Sequence, residues 1–360
     1  MRLAITGVGM VTSLGYGAVG SCAAIEAGLA RPREMEDFTV ADGEGGAYPV
    51  VSHPVSGFAE GFTDVGAWIR LAEGSLSDLL HATALPPSAE RRFWDATGLI
   101  ALAPILDATR FPADLEGLSA SLREDYALPL VRLMRRPIRP DHVQALALGH
   151  GGLAAALREA WKLLSNHALE RVIITGADSY LDAGSLEWLY RNNRLKVPGR
   201  PTGLMPGQAG ACVLVESEAA AKARSALLGG WVRAVAGAAS APTHRPPLQD
   251  LGGHLESVIQ EALTHAGAGE PFRGGLLLDL NGEDWKARAW GFAQLRLRSR
   301  IDLERCWACI PCESLGETGA ASGPLALGVA VSRLRGTTEQ ALLCSLPDLG
   351  HPAAIVLEGH

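Results

Sequence analysis

Apolar runs of strand length alternate with amphipathic stretches of helical period along most of this chain. Residues 3–8, 172–175 and 211–215 are short apolar runs, whereas 18–27 and 152–164 space their apolar positions three and four apart. In 152–164 the stripe is Leu153, Leu157, Ala160, Trp161 and Leu164, which predicts a helix buried along one face. A second series repeats the pattern. Residues 231–236 read as a strand, 255–266 as a helix with Leu255, Val258, Ile259, Ala262 and Ala266 on one side, and 276–280, 341–344 and 353–357 as strands. Strands that are nearly continuously apolar suit a sheet covered on both faces, so the predicted class is layered α/β. The break between the two series lies near 217–229, dividing the chain into halves at 1–217 and 218–360. Between about 34 and 92 glycine and proline are scattered and no period persists, which predicts an irregular capping segment of loops and short helices. Residues 238–249, rich in proline, read as a surface connection inside the second half.

Composition adds exclusions. With 48% hydrophobic and 20% charged residues in 360, the chain can bury a substantial core. Its net charge of -7, and basic runs no longer than a pair such as Arg135 and Arg136, argue against nucleic acid or an anionic membrane as the main partner. No run approaches the roughly 20 apolar residues a membrane-spanning helix needs. The opening MRLAITGVGMVTSLG is interrupted by Gly7, Gly9 and Gly15 and reads as strand and turn rather than a secretory signal, which predicts a cytoplasmic protein. Those glycines do not keep dinucleotide spacing, so no nicotinamide or other cofactor is expected. Cys306, Cys309 and Cys312 match half of an iron–sulfur ligand set, and a fourth ligand would have to come from elsewhere. Trp307, Ile310 and Pro311 make the same segment read as a buried strand entering a loop, its thiols structural. His142, His167, His244, His254 and His265 are scattered without metal-ligand spacing, and no metal is expected.

Four ordered segments carry a family resemblance. They are AITGVGMVTSLGYG at the start, GGLAAALREAWKLLSNHALERVIITGADS from Gly151, RPTGLMPGQAGACVLVES from Arg200, and ESLGETGAASGPLALGVAVSRL from Glu313. In order and spacing they resemble the β-ketoacyl synthases of the thiolase superfamily. The resemblance implies a thiolase-like fold of two pseudo-duplicated α/β halves in five layers. It also implies a dimer, formed through the edge of the first half's sheet.

The same resemblance implies where the chemistry of the family should lie, and there the residues differ. The nucleophilic cysteine belongs at the start of the helix after Gly152, where a helix N-terminus favours a thiolate. Gly149, His150 and Gly151 occupy that elbow, and there is no cysteine between Cys22 and Cys212. The first family histidine is replaced by Asn281, which can donate a hydrogen bond but cannot titrate near neutrality. The second corresponds to Glu317, and Glu313 stands in place of the family lysine. A carboxylate facing a developing enolate opposes the usual transition state. Gln208 stands where the family has a glutamate.

Two functions compete on these residues. One is a ketosynthase-like protein without the Cys/His/His set, serving as a scaffold, partner subunit or adaptor, with secretion accessory as one setting. Its partner would be a protein, an acyl carrier protein among the possibilities. The alternative is an acyl-thioester-handling enzyme, an acyltransferase or decarboxylase. It would use a pocket rebuilt around His150, Asn281, Glu317 and His351 without a cysteine nucleophile. Trp285 and Trp290, set among charges, are candidates for a partner-binding surface; filling of an emptied acyl channel by Trp285 is the competing reading.

Overall fold

The computed structural model describes residues 2–41, 46–111, 115–237 and 246–360. Residues 238–245, most of the connection expected at 238–249, and His244 with them lie outside the described residues. Ten of the large sheet's eleven strands form its path, the other being the two-residue Gly15–Tyr16, which pairs with Val11 and Thr12. The ten are β1 (Leu3–Thr12), β2 (Thr97–Ala103), β3 (Val143–Ala147), β4 (Arg171–Ser179) and β5 (Gln208–Glu216), then β6 (Gly230–Gly237), β7 (Gly275–Leu278), β8 (Trp307–Cys309), β9 (Gln340–Ser345) and β10 (Ala353–Glu358). Their spatial order is β8-β7-β9-β10-β6-β1-β5-β4-β2-β3, so the second five repeat the arrangement of the first five as a mirror list. In each run the second strand pairs in parallel with its two neighbours, and the last strand pairs antiparallel with both of its own. The runs meet where Leu3, Ala4 and Ile5 pair with Val232, Trp231 and Gly230.

Six helices set the layers: α1 (Asp64–Ala82), α2 (Gly152–Ser165), α3 (Ala183–Arg191), α4 (Leu248–His265), α5 (Asp284–Arg296) and α6 (Ser322–Leu334). The stripe predicted in α2 is buried at Leu153, Leu157, Ala160 and Leu164, with Trp161 half-buried beside it. It and α6 share one core with side chains of both strand runs, including Ile174, Val213, Leu277 and Ile355. α1 covers the other face of the first run through Trp68, Leu71, Leu76 and Leu79. α4 and α5 cover the second run through Leu255, Ile259, Ala289 and Ala293. The order helix, sheet, helix pair, sheet, helix is the five-layered, pseudo-duplicated arrangement expected from the four segments.

The segment 34–92 departs from the expectation of an irregular cap. It contains the 19-residue α1, and a hairpin of Arg33–Ala41 with Ala47–Ser52 begins just before it. Glycine inside α1 blurs its period for a steric reason: a Cβ on Gly74 would lie 2.4 Å from the Phe58 ring and 2.7 Å from Val11. The sheet yields in the same way. A Cβ on Gly9 of β1 would meet the Ser75 carbonyl oxygen at 2.1 Å, and one on Gly210 of β5 the Leu71 oxygen at 2.0 Å. The glycines of GVGM therefore let α1 lie directly on the sheet. Among the described residues no helix is long and apolar enough to cross a membrane.

Candidate active site

The carboxyl ends of β3, β4, β7 and β9 point to one side of the molecule, where loops from both halves surround a cavity of about 510 Å3. Crevices outside the carboxyl ends of strands are the usual ligand sites of α/β folds. Its wall includes His150, Asp178, Arg194, Glu283, Trp285 and Asp348.

The two central helices begin alike. Gly149–Gly151 forms a 3-10 turn leading into α2, and Gly319–Ala321 forms one leading into α6; Gly149 and Gly319 share a φ of 49°. This left-handed backbone favours glycine. A side chain is excluded further at Gly319, whose Cβ would fall 1.8 Å from Asp178 Oδ2, and is crowded at Gly149, 3.2 Å from Ile105. The elbow thus presents backbone at Gly149 and the imidazole of His150 one residue later. The start of α6 is capped by two anions: Gly319 N–H donates to Glu317 Oε1 at 2.8 Å and Ala320 N–H to Asp178 Oδ2 at 3.2 Å. Negative charge at that end is favoured by the unpaired amides and the helix dipole.

Of the residues predicted for the site, His150, Asn281 and Glu317 come together. His150 Nε2 lies 2.9 Å from Glu317 Oε1, and Asn281 Nδ2 donates to Glu317 Oε2 at 2.6 Å and to Glu283 Oε2 at 3.0 Å. Glu313 does not join them: it is exposed on the short Cys312–Leu315 helix. The amine at the site is instead Lys286, entirely buried, whose Nζ donates to Asp279 Oδ1 at 2.8 Å and stands 4.0 Å from Glu317. Lys286 shares the inward face of α5 with Ala289 and Ala293, so its i, i+3 and i+7 spacing with two small apolar residues was the available signal. His351 also stays out of the site, exposed and 3.2 Å from His254. Gln208 is buried and accepts a hydrogen bond from Ser179 Oγ. Trp285 is half-buried on the cavity wall, while Trp290 is half-buried against the α4–α5 core.

Other charges were not singled out in the sequence. Arg194, following α3, donates through Nε and Nη2 to both oxygens of Glu283 at 2.8 and 2.7 Å, and through Nη1 and Nη2 to both oxygens of Asp348 at 3.1 and 2.7 Å. Arg110 donates to Asp178 at 3.0 Å, to the Ser179 carbonyl at 2.8 Å and to Ser185 Oγ at 3.1 Å. Asp279, at the end of β7, accepts from Lys286 and from Leu346 N–H and stands 3.7 Å from His150.

Burial works against charge on His150, Glu317 and Asp279, and the balance between burial and their partners decides the outcome. For His150, burial disfavours the imidazolium, but the carboxylates of Asp279 and Glu317 outweigh it and bring its pKa up to about 9. Glu317 also resists burial: His150 and Lys286 hold it well below the ordinary carboxylate range. At Asp279 burial prevails and raises the pKa despite His150 and Lys286. Because His150 is raised on folding, its contribution to stability is complete below its unfolded value of about 6.5 and is lost as pH rises through about 9. Unfolding free energy measured in urea should fall by about 3 kcal/mol more between pH 7 and 10 for the wild type than for His150→Gln. Equal losses in the two proteins would refute this charge state.

His150, Asp279 and Glu317 have ligand atoms within 4.8 Å of one another, the one such trio among the described residues. They do not suit a metal ion, because the Lys286 ammonium already supplies the cation between the two carboxylates. Cys306, Cys309 and Cys312 are free thiols, half-buried rather than fully buried, with β8 at the sheet edge. Burial raises the first two to about 11 and Cys312 well above its usual value, so none is a ready thiolate.

No family model matches the chain, and no curated protein matches it. Solved structures do. The oxazolomycin ketosynthase domain of Streptomyces albus JA3453 superposes with a TM-score of 0.78 at 17% identity, covering 100% of this chain and 75% of that one. A ketosynthase described in complex with its type II PKS acyl-carrier protein gives 0.76 at 14% identity, covering 100% and 99%. The ishigamide ketosynthase/chain length factor gives 0.72 at 17% identity, also covering 100% and 99%. From end to end, this chain has the thiolase-like fold of the ketosynthases.

Proposed function

We propose that this protein is a ketosynthase-like subunit without the Cys/His/His chemistry, which binds a protein partner as a scaffold or adaptor. The observation that carries the proposal is Glu317. It is 2% exposed, held ionised, and accepts hydrogen bonds from His150, Asn281 and the Gly319 amide. A fixed carboxylate here repels an enolate, and Gly149 supplies no nucleophile. The cavity wall points the same way: among the described residues Asp107, Asp178, Glu283, Asp284 and Asp348 face only Arg110, Arg194 and His150, which disfavours an anionic malonyl group.

Purified protein incubated with acyl and malonyl thioesters, on coenzyme A and on a carrier protein, should show neither an acyl adduct nor released product by mass spectrometry. One observation favours the enzyme reading instead, namely that the cavity reaches His150. Turnover that disappears in His150→Ala would establish that reading and overturn the scaffold.

The protein-partner reading draws support from the relatives described with an acyl-carrier protein and with a chain length factor. The nearest partner is a second copy. β3 ends the sheet, pairs only with β2 among the described residues, and is half-buried from Gln144 to Ala147, so it offers an open edge for strand pairing. Light scattering should give twice the 37.8 kDa chain mass; a monomer at all micromolar concentrations would contradict the pairing.

A further inference from the structure

The chain after β9, residues 346–352, supplies Asp348 and Leu349 to the cavity wall. Asp348 is held there by Arg194. Three residues on, His351 meets His254 of α4, 97 positions away in the chain. The two Nδ1 atoms are 3.2 Å apart, the ring centroids 4.9 Å apart, and the ring planes inclined at 64°. The nitrogens are closer than the centroids, so the rings face each other through their Nδ1 edges rather than stacking flat. Both residues are exposed, and neither belongs to the buried network around Glu317.

We infer that His254 and His351 form a binding site for a divalent transition-metal ion of the zinc or copper class, which fastens the cavity-wall loop to α4. Metal–imidazole bonds are about 2.0–2.1 Å, so two nitrogens at the observed separation subtend about 100° at a shared ion, between octahedral and tetrahedral angles. Neutral imidazole suits zinc, copper and nickel, whereas calcium and magnesium require oxygen donors. Water fills the remaining positions, which the exposure of both rings permits. Without an ion, one Nδ1–H donates to the other Nδ1; with an ion, both nitrogens turn their lone pairs to it and the protons reside on Nε2. The clamp restrains residues 346–352 at His351, three positions beyond the Asp348 that Arg194 holds, so occupancy is coupled to the cavity wall.

Untagged protein should bind one Zn2+ per chain by calorimetry, and its Cu2+ complex should show hyperfine coupling to two nitrogens by electron paramagnetic resonance. His254→Ala and His351→Ala should each weaken Zn2+ binding by at least about tenfold, since tenfold is only 1.4 kcal/mol and half of the protein ligands are gone. Unchanged circular dichroism in both variants would separate lost ligation from lost folding. Zn2+ should also slow proteolysis within 346–352 in the wild type and not in the double variant. Failure of the wild type to bind Zn2+ saturably would overturn the inference. So would equal Zn2+ affinity and nitrogen coupling in the double variant.

Discussion

Replacing Lys286 with methionine will destabilise the protein by about 3–5 kcal/mol at neutral pH, the usual cost of removing one partner from a buried ion pair. The side chain is wholly buried, and methionine nearly conserves its volume, so packing changes little. What remains is Asp279, which loses its 2.8 Å donor, beside Glu317, which loses a cation at 4.0 Å. Burial already raises the Asp279 pKa with the amine present. Without it the carboxyl loses one of the charges that lower its pKa, so the penalty should shrink as pH falls and the carboxylate is neutralised. Two further comparisons test the assignment. Lys286→Met combined with Asp279→Asn should recover a large part of the loss, because the uncompensated charge is removed with its partner. Simple addition of the two single losses, with no dependence on pH, would show that Lys286 acts only through its bulk.

Arg194→Met should cost a similar amount, near the lower end of the same range because the guanidinium lies on the cavity wall within reach of water. One planar fork holds both oxygens of Glu283 and both of Asp348, a geometry that a lysine cannot reproduce. It also lies over the Trp188 ring, 5.0 Å from the centroid. The loss should therefore be local as well as global. Hydrogen exchange should accelerate in residues 346–352, and Arg194→Lys should rescue little of it. Wild-type exchange in that loop would show that other contacts hold it.

Much of the fold could be read from periodicity because both halves repeat the same alternation of apolar strand and striped helix. α2 and α4 emerged with their apolar faces as predicted, and β4 and β5 are buried along their whole length. α1 was missed since its close seating demands glycine at Gly74, where a larger residue would have completed the stripe. The site was legible only where a motif fixed the position. His150, Asn281 and Glu317 were found this way, and Glu313 shows its limit: position in a motif does not decide which way a side chain faces. Lys286, Arg194 and Asp348 belong to no motif and look like ordinary surface charges, and Asp178, although it lies at the end of one of the four segments, was not marked there for any role. Their burial follows from partners 7 to 154 residues away, a convergence set by topology. Asp279 was the nearest to legible, an acid ending the apolar run of β7. His254 looked like one of several scattered histidines until the fold brought it to His351.

The site's charges are committed to one another, with an imidazolium at His150 against an ionised Glu317. Nitrogen-15 NMR of the histidine side chains reads this directly. His150 should carry protons on both ring nitrogens at pH 7 and titrate near pH 9, and its pKa should fall in Glu317→Gln, where Asp279 is the one carboxylate left to raise it. A neutral His150 at pH 7, titrating as an ordinary histidine and indifferent to Glu317→Gln, would rule out that charge pairing.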